Sequence, residues 1–335
     1  MAVRTILIGF GNVGRELVKV LASRGEEIEK IYYARLSIEA IVTSRGYATL
    51  GSDWRRKAID LASRYEKGER GFLSHDKDLW EVIDDLSPDL VFIAIPPSYG
   101  SGDPNLSIYR GLISRGVSII TADKTGLALE YRELIDSARN RGVYLGYRAT
   151  VMAGTPAIDV IRGLRGRVIT TIRGIFNATT NYILSLVEKS LSYREAIARA
   201  VDEKLTEPDP RIDTEGLDPA AKLAILASEA GMIVRLNDIK RSPLTSVSEE
   251  HVRSALRRGT RVKYIAEARF SEGILEVAPR TLEQGDPLSS ISGSYNGLSI
   301  DVEKERITIT GPAGPAWRTA NVMLTDLIWY IHSKI

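Results

Sequence analysis

Residues 207 to 222 read Glu-Pro-Asp-Pro-Arg-Ile-Asp-Thr-Glu-Gly-Leu-Asp-Pro-Ala-Ala-Lys, a run dense in carboxylates that ends in one lysine. Asp218 stands where a helix N-cap would, Pro219 fits the first helical position, and Lys222 falls four residues after Asp218, so the two side chains approach on one side of a helix. A lysine held beside a carboxylate can hand a proton to a substrate oxygen. Glu207 and Asp213, on the turn-rich stretch before that helix, are placed to hold a cationic substrate group near the lysine. Taken alone, an Asp-x-x-x-Lys pair is more often a solvated ion pair on a capped helix and worth little. A second motif, at the other end of the chain, changes the balance.

Thr5 to Leu21 read Thr-Ile-Leu-Ile-Gly-Phe-Gly-Asn-Val-Gly-Arg-Glu-Leu-Val-Lys-Val-Leu, with Gly9, Gly11 and Gly14 in G-x-G-x-x-G spacing. An apolar strand candidate precedes them and a helix follows, which is the context that turns a generic glycine triplet into a dinucleotide cradle. Gly9 would make the tight turn and Gly11 would let a pyrophosphate approach the backbone around Asn12 and Val13. Gly14 would let helix and strand pack closely, and the helix start supplies unpaired N–H donors. The acid that grips an adenosine ribose belongs at the end of the second strand. The candidate strand Leu36–Val42 ends instead in Thr43, Ser44 and Arg45, with Lys57 further on. Hydroxyls and a guanidinium suit a 2′-phosphate better than a free diol, so NADP is expected over NAD. The alternative is that Arg45 is simply a solvent-facing loop residue.

The elements that must position these groups follow from periodicity. Over the first 150 residues, short β-like runs (5–8, 36–42, 90–95, 117–121, 143–147) alternate with helical ones (13–23, 53–65, 76–86, 106–114, 127–140), the pattern of a doubly wound parallel sheet. Ligands of such sheets bind beyond the carboxyl ends of the strands. Pro96-Pro97-Ser98 and Thr121-Ala122-Asp123-Lys124 fall there, making Lys124 a second candidate contact. After residue 150 the texture changes to strand 168–176, an Asn177–Asn181 cap, helices at 182–189, 193–203 and 219–230, then short antiparallel strands at 261–270, 274–279, 298–302 and 306–310. Asn296-Gly297 reads as a turn signal. The expected fold is α/β: a Rossmann-type doubly wound domain over residues 1–150 and an α+β domain over 151–311. The terminal helix in 312–335 is expected to return to the first domain.

Composition leaves room for both domains. The chain has 335 residues, 44% of them hydrophobic, and a formal net charge of +2, with its basic residues scattered among 43 acids rather than gathered in a stripe. Nucleic-acid binding is therefore not expected. The absence of cysteine excludes disulfides, thiol catalysis and zinc-thiolate sites and fits a cytoplasmic chain. His75, His251 and His332 are isolated and lack metal-ligand spacing. No apolar run approaches a membrane span, and the start of the chain does not read as a signal peptide.

Together these pieces resemble homoserine dehydrogenase. The resemblance runs from Gly-Phe-Gly-Asn-Val-Gly through Thr-Ala-Asp-Lys, Ala-Thr-Val-Met-Ala-Gly-Thr-Pro and Asn-Ala-Thr-Thr-Asn-Tyr-Ile-Leu to the 207–222 run, and ends in Gly-Pro-Ala-Gly-Pro-Ala-Trp-Arg-Thr-Ala. It implies interconversion of L-aspartate 4-semialdehyde and L-homoserine, in threonine and methionine biosynthesis, by a homodimer acting on a small-molecule substrate. It also assigns roles. Lys222 would be the proton donor with Asp218 as its partner, and Lys124 would be a second catalytic lysine that also contacts cofactor. Glu207, Asp213 and Thr179 would hold substrate, the Asn177–Thr180 turn would lie against nicotinamide and substrate, and Gly314 and Thr319 would join the cofactor site. Oxidation of the alcohol should improve in alkali, because the lysine must then accept a proton.

Some positions depart from the family's pattern. Arg148 stands where the family has a glutamate that helps to bind a monovalent cation; a guanidinium would repel the ion, so bound sodium is not expected, and Arg148 is expected to supply positive charge instead. Lys204-Leu205-Thr206 replace Gly-Tyr and a small residue, Asp123 replaces Asn, and Ala178 replaces Gly. No appended regulatory domain is expected. Two other readings stay open: a different amino-acid-pathway oxidoreductase of this fold, such as an aspartate dehydrogenase, and a non-catalytic NADP-binding sensor.

Overall fold

The structure, a computed structural model, describes every residue except 204, 207, 208 and 335. It divides into two compact units: residues 1–126, 133–153 and 314–335 form the first, and 127–132 with 154–313 form the second. Each has its own six-stranded sheet.

The first unit opens with β1 (Ala2–Ile8), α1 (Asn12–Tyr32), β2 (Arg35–Thr43), β3 (Gly46–Thr49), α2 (Trp54–Glu66), α3 (Leu79–Leu86), β4 (Leu90–Ile93), α4 (Asn105–Ser114), β5 (Ser118–Thr121), α5 (Thr125–Asn140) and β6 (Leu145–Gly146). Its sheet runs β3-β2-β1-β4-β5-β6, parallel throughout except for β3. β4 and β5 are buried at every position, as strands covered by helices on both faces must be. α1 turns Gly14, Leu17, Val18, Leu21, Gly25 and Ile28 to the core at helical spacing. α3 begins later than its periodicity suggests because Asp78 caps it, its side chain accepting from Trp80 N and Glu81 N.

The second unit comprises α6 (Ala157–Gly163), β7 (Ile169–Ile175), α7 (Ala178–Val187), α8 (Tyr193–Asp202), α9 (Arg211–Thr214), α10 (Leu217–Glu229), β8 (Lys240–Arg241), α11 (Glu249–Arg257), β9 (Arg261–Arg269), β10 (Ile274–Leu282), β11 (Tyr295–Val302) and β12 (Glu305–Pro312). Its sheet order is β12-β11-β7-β9-β10-β8, antiparallel apart from the β10–β8 pair. The chain then closes on α12 (Ala316–His332), part of the first unit. Its stripe Ala320, Met323, Leu324, Leu327, Tyr330 and Ile331 shares a core with Leu7, Leu17 and Leu21.

Several local expectations are corrected. Thr43-Ser44-Arg45 does not lead straight to a helix: Ser44 and Arg45 form the turn of a hairpin whose return strand is β3, entered through Gly46 at φ +115°. β6 is only two residues long, because residues 148–150 wind into a 3-10 turn that brings the Arg148 N–H within 2.9 Å of Asp326 Oδ2. Asn296-Gly297 is not a turn but lies inside β11. The missing side chain at Gly297 makes room for Ile291, whose Cδ1 would be 2.2 Å from a Cβ there. Asp218 is not the N-cap of α10. That place belongs to Gly216, at φ +81° and with Tyr264 Oη 2.6 Å from where a Cβ would sit. The helix therefore starts one residue before Asp218 and carries it on the same side as Lys222.

Candidate active site

In the second unit, the Lys222 ammonium donates to Asp218 Oδ2 and to the Phe176 carbonyl oxygen, each at 2.7 Å. The carbonyl comes from the end of β7 and the lysine from the second turn of α10, so the ammonium stands at a junction of strand and helix. Two of its three N–H donors are thereby satisfied, and the third meets no acceptor among the described residues. Asn177, the residue after Phe176, caps α7 by accepting from Thr180 N at 2.9 Å. Its amide nitrogen reaches the other way, donating to Asp213 Oδ1 at 2.6 Å and Asp218 Oδ2 at 2.9 Å. One asparagine thus ties together the helix start and two carboxylates, all buried. Burying charges demands such partners.

This brings Asp213, Asp218 and Lys222 together as their sequence spacing suggests. Thr179 is buried nearby, and its hydroxyl donates to the Leu205 carbonyl at 2.5 Å, leaving its lone pairs as acceptors. Glu207, expected to hold substrate, lies outside the described residues, as does Lys204. Asn177 as the bridge, and the Phe176 carbonyl as a lysine anchor, were not singled out from sequence. The only sequence signal was the asparagine at a helix start.

In the first unit, the three glycines do different work. A Cβ on Gly9, which sits at φ +97°, would meet the Ala94 carbonyl oxygen at 2.3 Å, and one on Gly14 would meet the Gly9 carbonyl oxygen at 2.1 Å. Both are required by packing alone. Gly11 faces open space, with nothing within 4 Å of a Cβ, and caps α1 with no side-chain hydrogen bond. That combination, an uncapped helix start beside an open glycine face, fits a dinucleotide diphosphate. Asn12 and Val13 form the first turn, and Arg15 braces the loop by donating to the Phe10 carbonyl at 3.1 Å and Asn12 Oδ1 at 2.8 Å.

Ser44, Arg45 and Lys57 are exposed, the first two on the β2–β3 turn and Lys57 on α2. Lys124 immediately precedes α5, after Asp123. Asp123 Oδ1 accepts from Thr125 N at 3.0 Å and Thr125 Oγ1 at 2.8 Å; burial pushes this carboxyl above its ordinary range. Thr125 Oγ1 in turn accepts from Ser98 N at 2.9 Å, so the two loops at the ends of β4 and β5 are knit together beneath Lys124. Gly314 and Thr319 flank the start of α12.

Arg148, expected to supply positive charge, is buried and paired. Its guanidinium pairs with Asp326 Oδ1 at 2.6 Å, Asp326 is fully buried, and Trp329 covers the pair with its ring centre 5.0 Å away. The pair fastens α12 beside β6. Among the described residues, no cluster of His, Cys, Asp or Glu could hold a metal ion, and no helix is long and apolar enough to cross a membrane.

This geometry has close relatives. Residues 156–328 match the family model for homoserine dehydrogenase. The chain is 34% identical over 97% of both chains to homoserine dehydrogenase of Sulfurisphaera tokodaii. It is 32% identical to the NAD(+)-dependent homoserine dehydrogenase of Pseudomonas canavaninivorans over 98% of this chain and 96% of that one. The structure superposes with a TM-score of 0.84 and 25% identity, over all of this chain and 99% of the other, on a hyperthermophilic archaeal homoserine dehydrogenase in complex with NADPH. Shared sequence over nearly the whole length, shared architecture and a lysine–aspartate pair in the matched segment lead to one statement: the chain belongs to the homoserine dehydrogenase family, NAD(P)-dependent oxidoreductases acting on a CH–OH group.

Proposed function

We propose that the protein interconverts L-aspartate 4-semialdehyde and L-homoserine with NADP, in threonine and methionine biosynthesis. The observation that carries this reading is the Lys222 ammonium, fixed by Asp218 and the Phe176 carbonyl at 2.7 Å each with one N–H to spare. A bound nicotinamide supplies the hydride. As hydride reaches the aldehyde carbon, negative charge builds on its oxygen, and the spare N–H of Lys222 both stabilises that charge and delivers the proton. Asp218 holds the ammonium in place, while Asn177 keeps Asp218 and Asp213 from drifting apart. Asp213, with Glu207, is assigned to the substrate's cationic amino group, and Thr179 to a polar substrate contact through its lone pairs. Lys124 is assigned as a second lysine at the reacting centre.

Gly9, Gly11, Asn12, Val13 and Gly14 are assigned to the cofactor, with Gly314 and Thr319 at the start of α12. NADP is favoured because β2 ends in Thr43-Ser44-Arg45 without a carboxylate, with Lys57 as further positive charge. The archaeal neighbour bound to NADPH supports that choice, and the NAD(+)-dependent relative makes NAD the necessary comparison. Homodimerisation is carried over from the family, and light scattering tests it.

The deciding experiment follows nicotinamide reduction by the purified protein with homoserine, offering NADP and NAD separately at alkaline pH, beside Lys222→Ala. Homoserine-dependent reduction that disappears in the variant supports the reading. Wild-type silence despite NADP binding would turn it towards another substrate or a sensor.

A further inference from the structure

Arg318, in the first turn of α12, has no role in the reading above. Its Nε is buried yet makes no hydrogen bond to any described residue, and no described carboxylate pairs with the guanidinium. The side chain is nonetheless held. The guanidinium lies over the Trp317 ring, 4.9 Å from its centre. The stem occupies the space that a side chain at position 314 would need: a Cβ on Gly314 would be 2.7 Å from Arg318 Cβ and 2.9 Å from its Cδ. Gly314 therefore admits the arginine. A positioned, partly buried cation without an anion is unusual, because removing charge from water costs free energy that a partner normally offsets.

The fold says where this cation stands. α1 and α12 lie side by side with their C-terminal ends together, the Tyr32 ring 5.3 Å from the His332 ring. Val13 near the start of α1 and Val322 of α12 both pack on the shared core. Both helices thus open on the same edge of the sheet, where the glycine loop lies. α12 also packs over β5 and β6, on the opposite side of β1 from β2. The end of β2 carries Ser44 and Arg45, the groups assigned to the adenosine 2′-phosphate. Arg318 is on the other flank, so the 2′-phosphate is not its partner.

We propose that Arg318 is a cofactor-binding residue of this chain, its guanidinium fork gripping the diphosphate of the nicotinamide dinucleotide opposite the open face of Gly11. A planar fork with adjacent donors suits two phosphate oxygens, and a lysine cannot reproduce it. The inference rests on the dinucleotide reading of the glycine loop, but not on the identity of the amino-acid substrate.

The test is fluorescence titration of NADPH and NADH into the full-length protein without homoserine, for wild type, Arg318→Met and Arg318→Lys. Competition by ADP-ribose, which carries the diphosphate, and by 2′-AMP, which does not, runs alongside. Arg318→Met should weaken NADPH, NADH and ADP-ribose alike, by about 10- to 100-fold as for loss of a charged hydrogen bond, and leave 2′-AMP unchanged. Arg318→Lys should lose several-fold, and it decides the matter if the Met variant fails to fold. Unchanged NADPH and NADH affinities in a folded variant would overturn the proposal, and a raised KM for homoserine alone would reassign Arg318 to the substrate carboxylate. A wild type that binds NADPH normally but ignores homoserine would sink the function proposed above while leaving Arg318's role intact.

Discussion

Asp218 Oδ2 and Lys222 Nζ stand 2.7 Å apart across one turn of α10, and the same oxygen also accepts from the Asn177 amide at 2.9 Å. The carboxylate is therefore shared between the group assigned to move a proton and the group that fixes the adjoining helix. Lys222→Ala should lower kcat by about 10²- to 10⁴-fold, the span expected for a positioned proton donor, with NADPH affinity retained. Asp218→Asn keeps an acceptor but removes the charge, so its loss should be smaller than that of Lys222→Ala. Steady-state kinetics beside cofactor titration checks both; an unimpaired Lys222→Ala enzyme would remove the lysine from the mechanism.

Asn177 offers a way to separate stability from activity. Asn177→Ala loses the α7 cap, worth about 1 kcal/mol, together with the bridge between Asp213 and Asp218. Asn177→Ser can still cap the helix but cannot reach both carboxylates. Thermal melts should therefore show Asn177→Ser closer to wild type than Asn177→Ala, while kcat falls in both. Full activity in the serine variant would show that the bridge is dispensable.

The glycine loop predicts opposite outcomes for neighbouring substitutions. Gly14→Ala puts a methyl 2.1 Å from the Gly9 carbonyl oxygen and should compromise folding. Gly11→Ala meets nothing within 4 Å and sits at an ordinary φ of −71°, so the fold should survive. Its methyl enters the space assigned to the diphosphate, and NADPH binding should weaken by at least about tenfold, or 1.4 kcal/mol. Circular dichroism and cofactor titration of the two variants give the comparison, and normal NADPH binding by Gly11→Ala would count against the cradle.

Arg148 and Asp326 form a pair sealed under Trp329. Arg148→Met removes the guanidinium from the fully buried Asp326, which then keeps neutral donors such as the Tyr144 hydroxyl and the Arg148 N–H in place of a charged one, and should cost about 3–5 kcal/mol. Arg148→Glu should be worse, since it sets two carboxylates face to face. Denaturant unfolding measures both, and a stable Arg148→Glu protein would show that the Arg148–Asp326 pair is not needed to hold the fold.

Lys263 on β9 predicts a pH dependence. Its ammonium is buried, donates to the Ile291 carbonyl at 2.5 Å and lies 3.4 Å from Asn181 Oδ1; burial pushes its pKa down to about 8, with Glu188 opposing and Arg261 assisting. The unfolded chain keeps the ordinary value of 10.5. Between pH 8 and 10.5 the unfolded state binds the extra proton, so stability rises with pH across that window, and the cost of the buried charge is fully present below it. The gain over that window is on the order of 3 kcal/mol. Lys263→Met should lose this slope; an unaltered slope in the variant would assign it to other groups.

Much of the architecture was legible in the sequence because its signals are local. The glycine spacing after an apolar run, the alternation of strand and helix, and the spacing of Asp218 and Lys222 each lie within a few turns of chain. What escaped depends on distant partners. β3 is four residues long and takes its place from Gly46 and from pairing with β2. Asn177 meets Asp213 and Asp218 across dozens of intervening residues, and nothing in an Asn at a helix start announces that reach. Gly297 resembled a turn because its real reason, the Ile291 side chain, comes from a loop with no pattern of its own. The packing of Arg318 against the empty side of Gly314 likewise has no local sequence signal.

The arrangement of the two units sets an order of events during synthesis. Residues 1–153 include β1 and α1, but the apolar stripe of α12 that completes their core is encoded after the entire second unit. As the polypeptide leaves the ribosome, the second unit is finished before the first can close, and Leu17, Leu21 and their neighbours must wait for a helix made after it. A ribosome that stalls within α12 would hold a nascent chain whose second unit is complete and whose first unit is a ready client for chaperones.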